Sequence, residues 1–594
     1  MIQQRIESKS EYSIIHLLKN ALKRLTKIKN FYISILIPLI FSPLIIFYKT
    51  KEIKSVFVCL VTLSFLITGA LPIALSSLIP ALLFPMLGVL TVKDVSSMYF
   101  KDPILLFFAS VILAKGIESA NLHKRIALNL LMRSGSKPIW MASGFIMSTF
   151  FVSIWINNAS TAILMAPVAI GVMEEYHKFK KVSVITKVTT ISSKHGFQKE
   201  IENGQEVVII NGFKENEDLN DPPILSKHDE DQLRNLHKCI FIGITYAVNI
   251  GGTVSLIGSP TNLIMNGSLN LYFSSKAEIS FMTWILYVFP GAVIVIILTW
   301  MQLCFYFFGI RETFSQMGSK NYKEDPRLFI KEQLNKLGKM KQNEITILCL
   351  FVTLVVLWIF KNPNFVPGWQ VYFEKSYISD ATPALLIAFL LFILPTDIRS
   401  VLLIKDDNGD IPDYLPLLIW RDIYRDLMWD INLFIGGGLA LVAGFESSGL
   451  SKLFVNYFGL FRNLPKQLIV LIFYALTCLM TELLSNIATA SIMMQIISDI
   501  ALSNKVNPLY FMFPVILAAS YCFILPIGTA PNAILYSAGK LNFFDMVKPG
   551  IMVHLICMVV TYLSINSYGI LIFKVNKFPD WAVILNNTKS SNIN

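Results

Sequence analysis

The sequence predicts an all-α protein that crosses a bilayer many times and consists of two related halves. Three observations predict it. Apolar residues make up 54% of the 594 positions and charged residues only 15%, whereas a soluble domain is nearer a quarter charged. Apolar runs of about 20 residues, the length a helix needs to cross the hydrocarbon layer, recur along the chain. One passage also occurs twice: KDPILLFFASVILAKGIESANL at 101–122 and WDINLFIGGGLALVAGFESSGL at 429–450. At an offset of 328, Asp102 meets Asp430, Gly116 meets Gly444, Glu118 meets Glu446 and Leu122 meets Leu450, and the same offset carries Asn158 onto Asn486 and Thr161 onto Thr489. In a membrane protein, such a repeat marks a secondary transporter with its site between the repeats.

The elements follow in order. Residues 1–30 form a basic N-terminus, with Lys19–Lys29 beside the first apolar run, Phe31–Tyr48; basic segments stay cytoplasmic, which places this terminus inside. No short apolar core with a small-residue cleavage site precedes that run, so a cleaved signal peptide is not expected. Residues 31–173 begin the first repeat, with a re-entrant hairpin around 137–170. Residues 174–238 are a polar insert of mixed charge, expected to be cytoplasmic and partly disordered. The first repeat resumes over 239–308, with a helix break at 258–262. A basic cytoplasmic loop follows at 309–342. The second repeat fills 343–575, with a hairpin around 465–500 and a break at 528–532, and 576–594 form a tail. In all, about ten to thirteen spanning or re-entrant segments are expected.

The net charge of +12 lies in loops beside apolar spans, which excludes a nucleic-acid surface. The seven cysteines show no CxxC or Cys/His spacing, so neither a disulfide framework nor a zinc site is expected. No nucleophile–base constellation or phosphate loop points to an enzyme. His554, inside an apolar run, is read as a packing residue rather than a proton relay. The repeated carboxylates Glu118 and Glu446 invite a proton-coupling role but are read instead as helix-end groups that cap or pair with Lys124 or Lys452, and Lys115 as a side chain that snorkels.

Four short stretches carry the chemistry: FVSIWINNASTAILMAP at 151–167, TELLSNIATASIMM at 481–494, GGTVSLIGSPTNL at 251–263 and ILPIGTAPNAI at 524–534. The first two place Asn, Ser and Thr where lipid-depth residues belong. Such groups are costly there unless they are paired or face a cavity. The other two place Gly and Pro inside apolar runs and should break a helix, freeing carbonyls and N–H groups. Irregular backbone at membrane depth survives only where protein covers it or a site uses it. Asn oxygens and free carbonyls suit Na⁺, and half-helix N-termini suit anions. Each hairpin tip with its partner break should form one half-site.

From about residue 30 to 575 the chain resembles the divalent anion/sodium symporters, solute carrier family 13, which carry dicarboxylates, citrate or sulfate. The resemblance rests on the two hairpin tips, where the family's Ser-Asn-Thr triplet reads Asn157-Asn158-Ala159 and Ser485-Asn486-Ile487. It rests also on GSPTN and GTAPN, on NLHKRIAL at 121–128 and on the 429–451 stretch. It implies inverted repeats, a transport domain of hairpins and broken helices moving elevator-like against a scaffold, and a homodimer. It implies one sodium site from Ser153, the Asn157 backbone, Asn158 and the Gly258 carbonyl. A second would use Thr481, the Leu484 carbonyl, Asn486 and the Gly528 carbonyl. Substrate carboxylates would meet Asn158, Ser259, Asn486 and Thr529. No cofactor is implied beyond Na⁺ as coupling ion.

Ala159 and Ile487 stand where the family has threonines. A lost donor to a charged group costs about 1.5–3 kcal/mol. Ser160, Thr161 and Ser491 are the nearby hydroxyls. The expected function is sodium-coupled symport of succinate, other dicarboxylates or citrate. The alternatives are sulfate transport or sodium-independent exchange on the same fold, and a non-transporting membrane sensor that uses the insert. Asn586-Asn587-Thr588 is a glycosylation pattern, fitting an extracellular tail and a plasma-membrane position.

Overall fold

The computed structural model describes residues 29–135, 137–194, 199–202, 205–210, 213–214, 227–273, 279–317, 328–361, 367–374, 377–405, 411–424, 427, 429–450, 464–526 and 528–582. The Asn586 sequon, Lys452 and most of the basic N-terminus lie outside these residues.

The described chain is helical apart from three short strands. The first helices are α1 (Lys29–Phe47), α2 (Lys51–Thr68), α3 (Ile73–Met86) and α4 (Val92–Met98). The first repeat then runs α5 (Asp102–Ser119), α6 (Leu122–Arg133), α7 (Pro138–Ser153), α8 (Asn158–Lys194), α9 (Lys227–Gly252), α10 (Pro260–Phe273) and α11 (Phe281–Phe308). Short helices α12 (Ile310–Met317) and α13 (Leu328–Leu337) lead to α14 (Gln342–Ile359), α15 (Ala381–Ile393), α16 (Arg399–Leu402) and α17 (Trp420–Ile423). The second repeat is α18 (Trp429–Ser448), α19 (Lys466–Leu483), α20 (Asn486–Ser503), α21 (Pro508–Ser520), α22 (Ala530–Ala538) and α23 (Phe543–Asn566), followed by α24 (Tyr568–Phe573).

Among the described residues seven helices are long and apolar enough to span a bilayer: α1, α11, α14, α18, α19, α20 and α23. An eighth results if α4–α5 and α6, bent by 66°, count as one span, and α3, α7, α15 and α21 are shorter apolar helices. Large apolar side chains stay exposed along their outer faces, among them Leu39 and Ile46 on α1, Ile294 on α11, Phe389 on α15 and Leu555, Val559 and Leu563 on α23. Exposed apolar area on this scale marks a lipid-facing surface.

Inside, α7 packs on α9, α20 on α21, α15 on α5, and α3 on α18. The α5–α6 bend falls at Asn121, whose φ of 56° is left-handed, a conformation Asn adopts more readily than most residues. Beyond the bend Arg125 anchors the α13–α14 turn. Its Nε donates to Glu344 Oε2 at 2.7 Å, Nη2 to Glu344 Oε1 at 3.1 Å and Nη1 to the Gly338 carbonyl at 2.8 Å. At the other end of α14, Lys361 and Asp380 form a buried ion pair at 2.9 Å, and Asp380 also accepts the Phe281 N–H that opens α11.

Two expectations need correction. The insert assigned to 174–238 does not begin and end as loop: α8 continues to Lys194, α9 starts at Lys227, and between them β1 (Lys199–Glu202), β2 (Gln205–Ile210) and β3 (Phe213–Lys214) pair antiparallel. Polarity marks where a helix leaves the apolar layer, not where it stops, since Glu and Lys propagate a nucleated helix well. Glu118 pairs with Lys115 at 2.9 Å, not with Lys124. Residues 115 and 118 share a face of α5, while the bend after Asn121 carries Lys124 onto another helix.

Candidate functional site

The two hairpins and two breaks fall where polar residues interrupt apolar runs. α7 ends at Ser153, the chain turns through 154–157, and α8 returns from Asn158; α19 ends at Leu483 and α20 returns from Asn486. The first triplet residue caps each returning helix. Asn157 Oδ1 accepts the Ala159 N–H at 2.8 Å, and Ser485 Oγ accepts the Ala488 N–H at 3.2 Å. Asn and Ser are both strong N-caps, so Asn157 keeps the job a serine does at the other tip.

The central asparagines are held alike. Ser153 Oγ donates to Asn158 Oδ1 at 2.9 Å and lies 2.8 Å from the Val248 carbonyl. Thr481 Oγ1 donates to Asn486 Oδ1 at 2.9 Å and lies 2.6 Å from the Ala519 carbonyl. A methyl added at Gly252 would overlap the Asn158 side-chain amide, so that amide keeps its place only while residue 252 has no side chain.

The breaks match as well. α9 stops at Gly252 and α10 starts at Pro260; α21 stops at Ser520 and α22 starts at Ala530. The prolines stand in the first turn of the helix after each break, where a missing N–H is not needed. Asn262 Nδ2 donates to the Gly252 carbonyl at 3.1 Å and the Ser255 carbonyl at 2.7 Å. Asn532 Nδ2 donates to the Cys522 and Leu525 carbonyls, both at 3.1 Å. A Cβ at Gly258 would come within 2.6 Å of the Gly252 carbonyl, so the first break closes tightly on itself. Across the repeats, Asn249 Nδ2 of α9 donates to the Cys522 carbonyl and to Asn532 Oδ1, both at 3.0 Å, and the Thr261 and Ser520 hydroxyls meet at 2.5 Å.

The donors gathered at each tip are hydroxyl, amide and carbonyl oxygens. Among the described residues no group of three or more His, Cys, Asp or Glu is placed to hold a metal ion. Oxygen donors of this kind suit a hard cation such as Na⁺. Ser259 Oγ is bonded to Thr261 Oγ1 at 2.8 Å, and Thr529 caps α22 by accepting the Asn532 N–H at 3.4 Å. Of the nearby hydroxyls, Thr161 turns back to the Asn157 carbonyl at 3.2 Å and Ser491 to the Ile487 carbonyl at 2.9 Å.

Sequence reasoning gave Glu482 no role and found no partner for His554. The buried Glu482 carboxylate accepts the N–H groups of Phe523 at 2.7 Å, Ile524 at 3.0 Å and Leu525 at 2.8 Å, so one side chain fixes the start of the second break. His554 Nε2 meets Glu482 Oε1 at 2.9 Å, so that carboxylate is the group that satisfies the buried ring at this nitrogen. At the matching place in the first repeat the Ser255 hydroxyl donates to the Ile154 carbonyl instead. A carboxylate inside TELLSN was the available signal; its partners lie 40 to 72 positions away.

Two duplicated hairpin tips, each closed by a broken helix within a chain that spans the membrane repeatedly, define a secondary-transporter architecture. Comparison with known proteins makes the class particular. The family model described as the sodium:sulfate symporter transmembrane region matches residues 22–575. Human solute carrier family 13 member 1 is 34% identical over 94% of this chain and 98% of its own length. The rat Na(+)/citrate cotransporter is 32% identical over 94% and 97%, and the human Na(+)/dicarboxylate cotransporter 3 is 30% identical over 95% of each. The chain belongs to the divalent anion/sodium symporter family, solute carrier family 13. The solved Alcanivorax borkumensis YdaH transporter overlays with a TM-score of 0.48 at 11% identity, covering 80% of this chain and 86% of that one.

Proposed function

We propose that this chain is a sodium-coupled symporter of small divalent organic anions, of the succinate, dicarboxylate and citrate class, and not an enzyme. The observation that carries the reading is the matched pair Ser153–Asn158 and Thr481–Asn486, each beside a broken helix. Na⁺ binds at Ser153, Asn157, Asn158 and Gly258, and at Thr481, Leu484, Asn486 and Gly528. Its charge offsets an anion that membrane depth would otherwise exclude. The anion is held between Asn158, Ser259, Asn486 and Thr529. A transport domain of hairpins and broken helices then moves elevator-like against the remaining helices of a homodimer. If more sodium charge than anion charge moves, the membrane potential contributes about 2.3 kcal/mol per charge per 100 mV. The protein resides in the plasma membrane with its N-terminus inside and its tail outside. Enzymatic deglycosylation that shifts the gel mobility of the wild type, but not of Asn586→Gln, is the expected sign of that orientation.

The test is uptake of labelled succinate and citrate into expressing cells, in sodium and with choline replacing it. Sodium-dependent uptake that Asn158→Ala or Asn486→Ala abolishes is expected. Its absence, at good surface expression, overturns the reading. Ala159 and Ile487 leave both tips without the family's third hydroxyl, which favours a second reading, sulfate as cargo, and labelled sulfate belongs in the same assay.

A further inference from the structure

The Lys115–Glu118 ion pair of α5 is a wall between two cavities. On one side is a narrow cavity against the first hairpin tip, lined by Trp155, Asn157, Ser160 and Ile257 together with Lys115 and Glu118. The other is a wide, open one of about 380 Å³, lined by the same two charged residues, by Ser119 and Thr396, and by the extended segment 415–419. An ammonium paired with a carboxylate on an apolar helix, and lining both the cavity at the hairpin tip and the open one, is placed to meet an anion passing between them.

The duplication sharpens the point. At the offset of 328, Lys115 corresponds to Ala443 and Ser160 to Ala488. The second repeat therefore has methyl groups where the first has an ammonium and a hydroxyl. The cavity beside the second hairpin is lined by Leu441, Ala488 and Ile492 with neutral polar residues such as Thr62, Ser491 and Gln495, and by no charged residue. Ser160 also stands next to Ala159, where the family's hydroxyl is missing. Thr161 and Ser491 spend their hydroxyls on their own helices, whereas Ser160 lines the cavity at the tip.

We propose that Lys115 is a specificity-determining anion contact of the first half-site. It exchanges its bond to Glu118 for one oxyanion group of the substrate, carboxylate or sulfate, and delivers it to the tip beside Ser160. The step moves no proton and breaks no covalent bond. A charged donor on one side only also fixes which end of an unsymmetrical anion faces the first hairpin. The inference rests on the anion-carrier reading above.

The experiment uses the full chain reconstituted in proteoliposomes and compares wild type, Lys115→Met, Lys115→Arg and Glu118→Gln. Sodium-driven uptake of labelled succinate, citrate and sulfate is measured, together with the stabilisation of each purified protein by the same anions. Lys115→Met should raise KM roughly tenfold or more, with kcat nearly unchanged. Lys115→Arg should restore most of that loss. Glu118→Gln, which removes the competing carboxylate charge, should lower KM. A merely structural ion pair would move both KM values the same way or neither, and either result overturns the proposal. If the wild type carries none of these anions the symport reading falls. The proposal is then decided by stabilisation alone, which Lys115→Met must lose and Glu118→Gln must keep.

Discussion

Asn262 and Asn532, 270 positions apart, do the same work: each sends its side-chain amide back across its own helix break to carbonyls of the irregular segment, and Asn262 also to that of Gly252 at the helix end before it. The breaks therefore owe their shape to a side chain beyond them as much as to the Gly and Pro within them. Either Asn→Ala change removes the side-chain donor that ties the break's carbonyls together, at about 0.5–1.5 kcal/mol for each hydrogen bond lost. Both variants should melt earlier than wild type in detergent and lose sodium-dependent uptake. An Asn262→Ala protein with wild-type melting and uptake would show that the break holds itself.

Glu482 is expected to matter more than its place beside a hairpin tip suggests. Gln in its place has one acceptor oxygen and brings an NH₂ toward N–H groups that need acceptors. The loss of a charged acceptor costs about 1.5–3 kcal/mol. Sodium titrations of thermal stability should show a lower starting midpoint for Glu482→Gln and a higher half-saturating sodium concentration. His554→Asn, which can still donate to the carboxylate, should sit between it and wild type.

Gly252→Ala tests the sodium half-site with a single methyl group. The added carbon overlaps the Asn158 amide, which must swing away from Ser153. Sodium affinity should fall roughly tenfold or more, a change of about 1.4 kcal/mol or greater. Uptake measured against external sodium reads it directly. An unchanged sodium dependence would remove Asn158 from the ion site.

Arg125→Lys should lower stability without touching sodium dependence. Lysine is a single point of charge and cannot span both Glu344 oxygens and the Gly338 carbonyl, as the guanidinium fork does. The expected cost is about 1.5–3 kcal/mol in thermal unfolding. A shift in half-saturating sodium would tie this corner to the ion sites instead.

The hairpins and breaks were legible because they violate a local expectation. Asn158, Asn486 and the GSPTN and GTAPN runs are polar or helix-breaking inside apolar stretches, and the repeat pairs them in order. Partner choice was not legible where it depended on the path of the chain. Glu118 has lysines three residues before it and six after it. Only the left-handed turn at Asn121, which bends the chain by 66°, decides between them. Glu482 and His554 belong to different helices, so neither local composition nor periodicity could join them. The insert misled because hydropathy reports where lipid ends, whereas helix α8 runs on past that point.

Asn249 has a consequence for how the carrier senses its ion. It belongs to the first repeat, yet its amide holds Cys522 and Asn532 of the second, so the two helix breaks, and the ion sites proposed beside them, share one piece of framework. On the proposed sodium sites, filling one should stiffen the wall of the other. Transport should therefore rise with sodium more steeply than independent sites allow, with a Hill coefficient above one that Asn249→Ala flattens. Sites that report to each other in this way turn a shallow ionic gradient into a sharp decision to move.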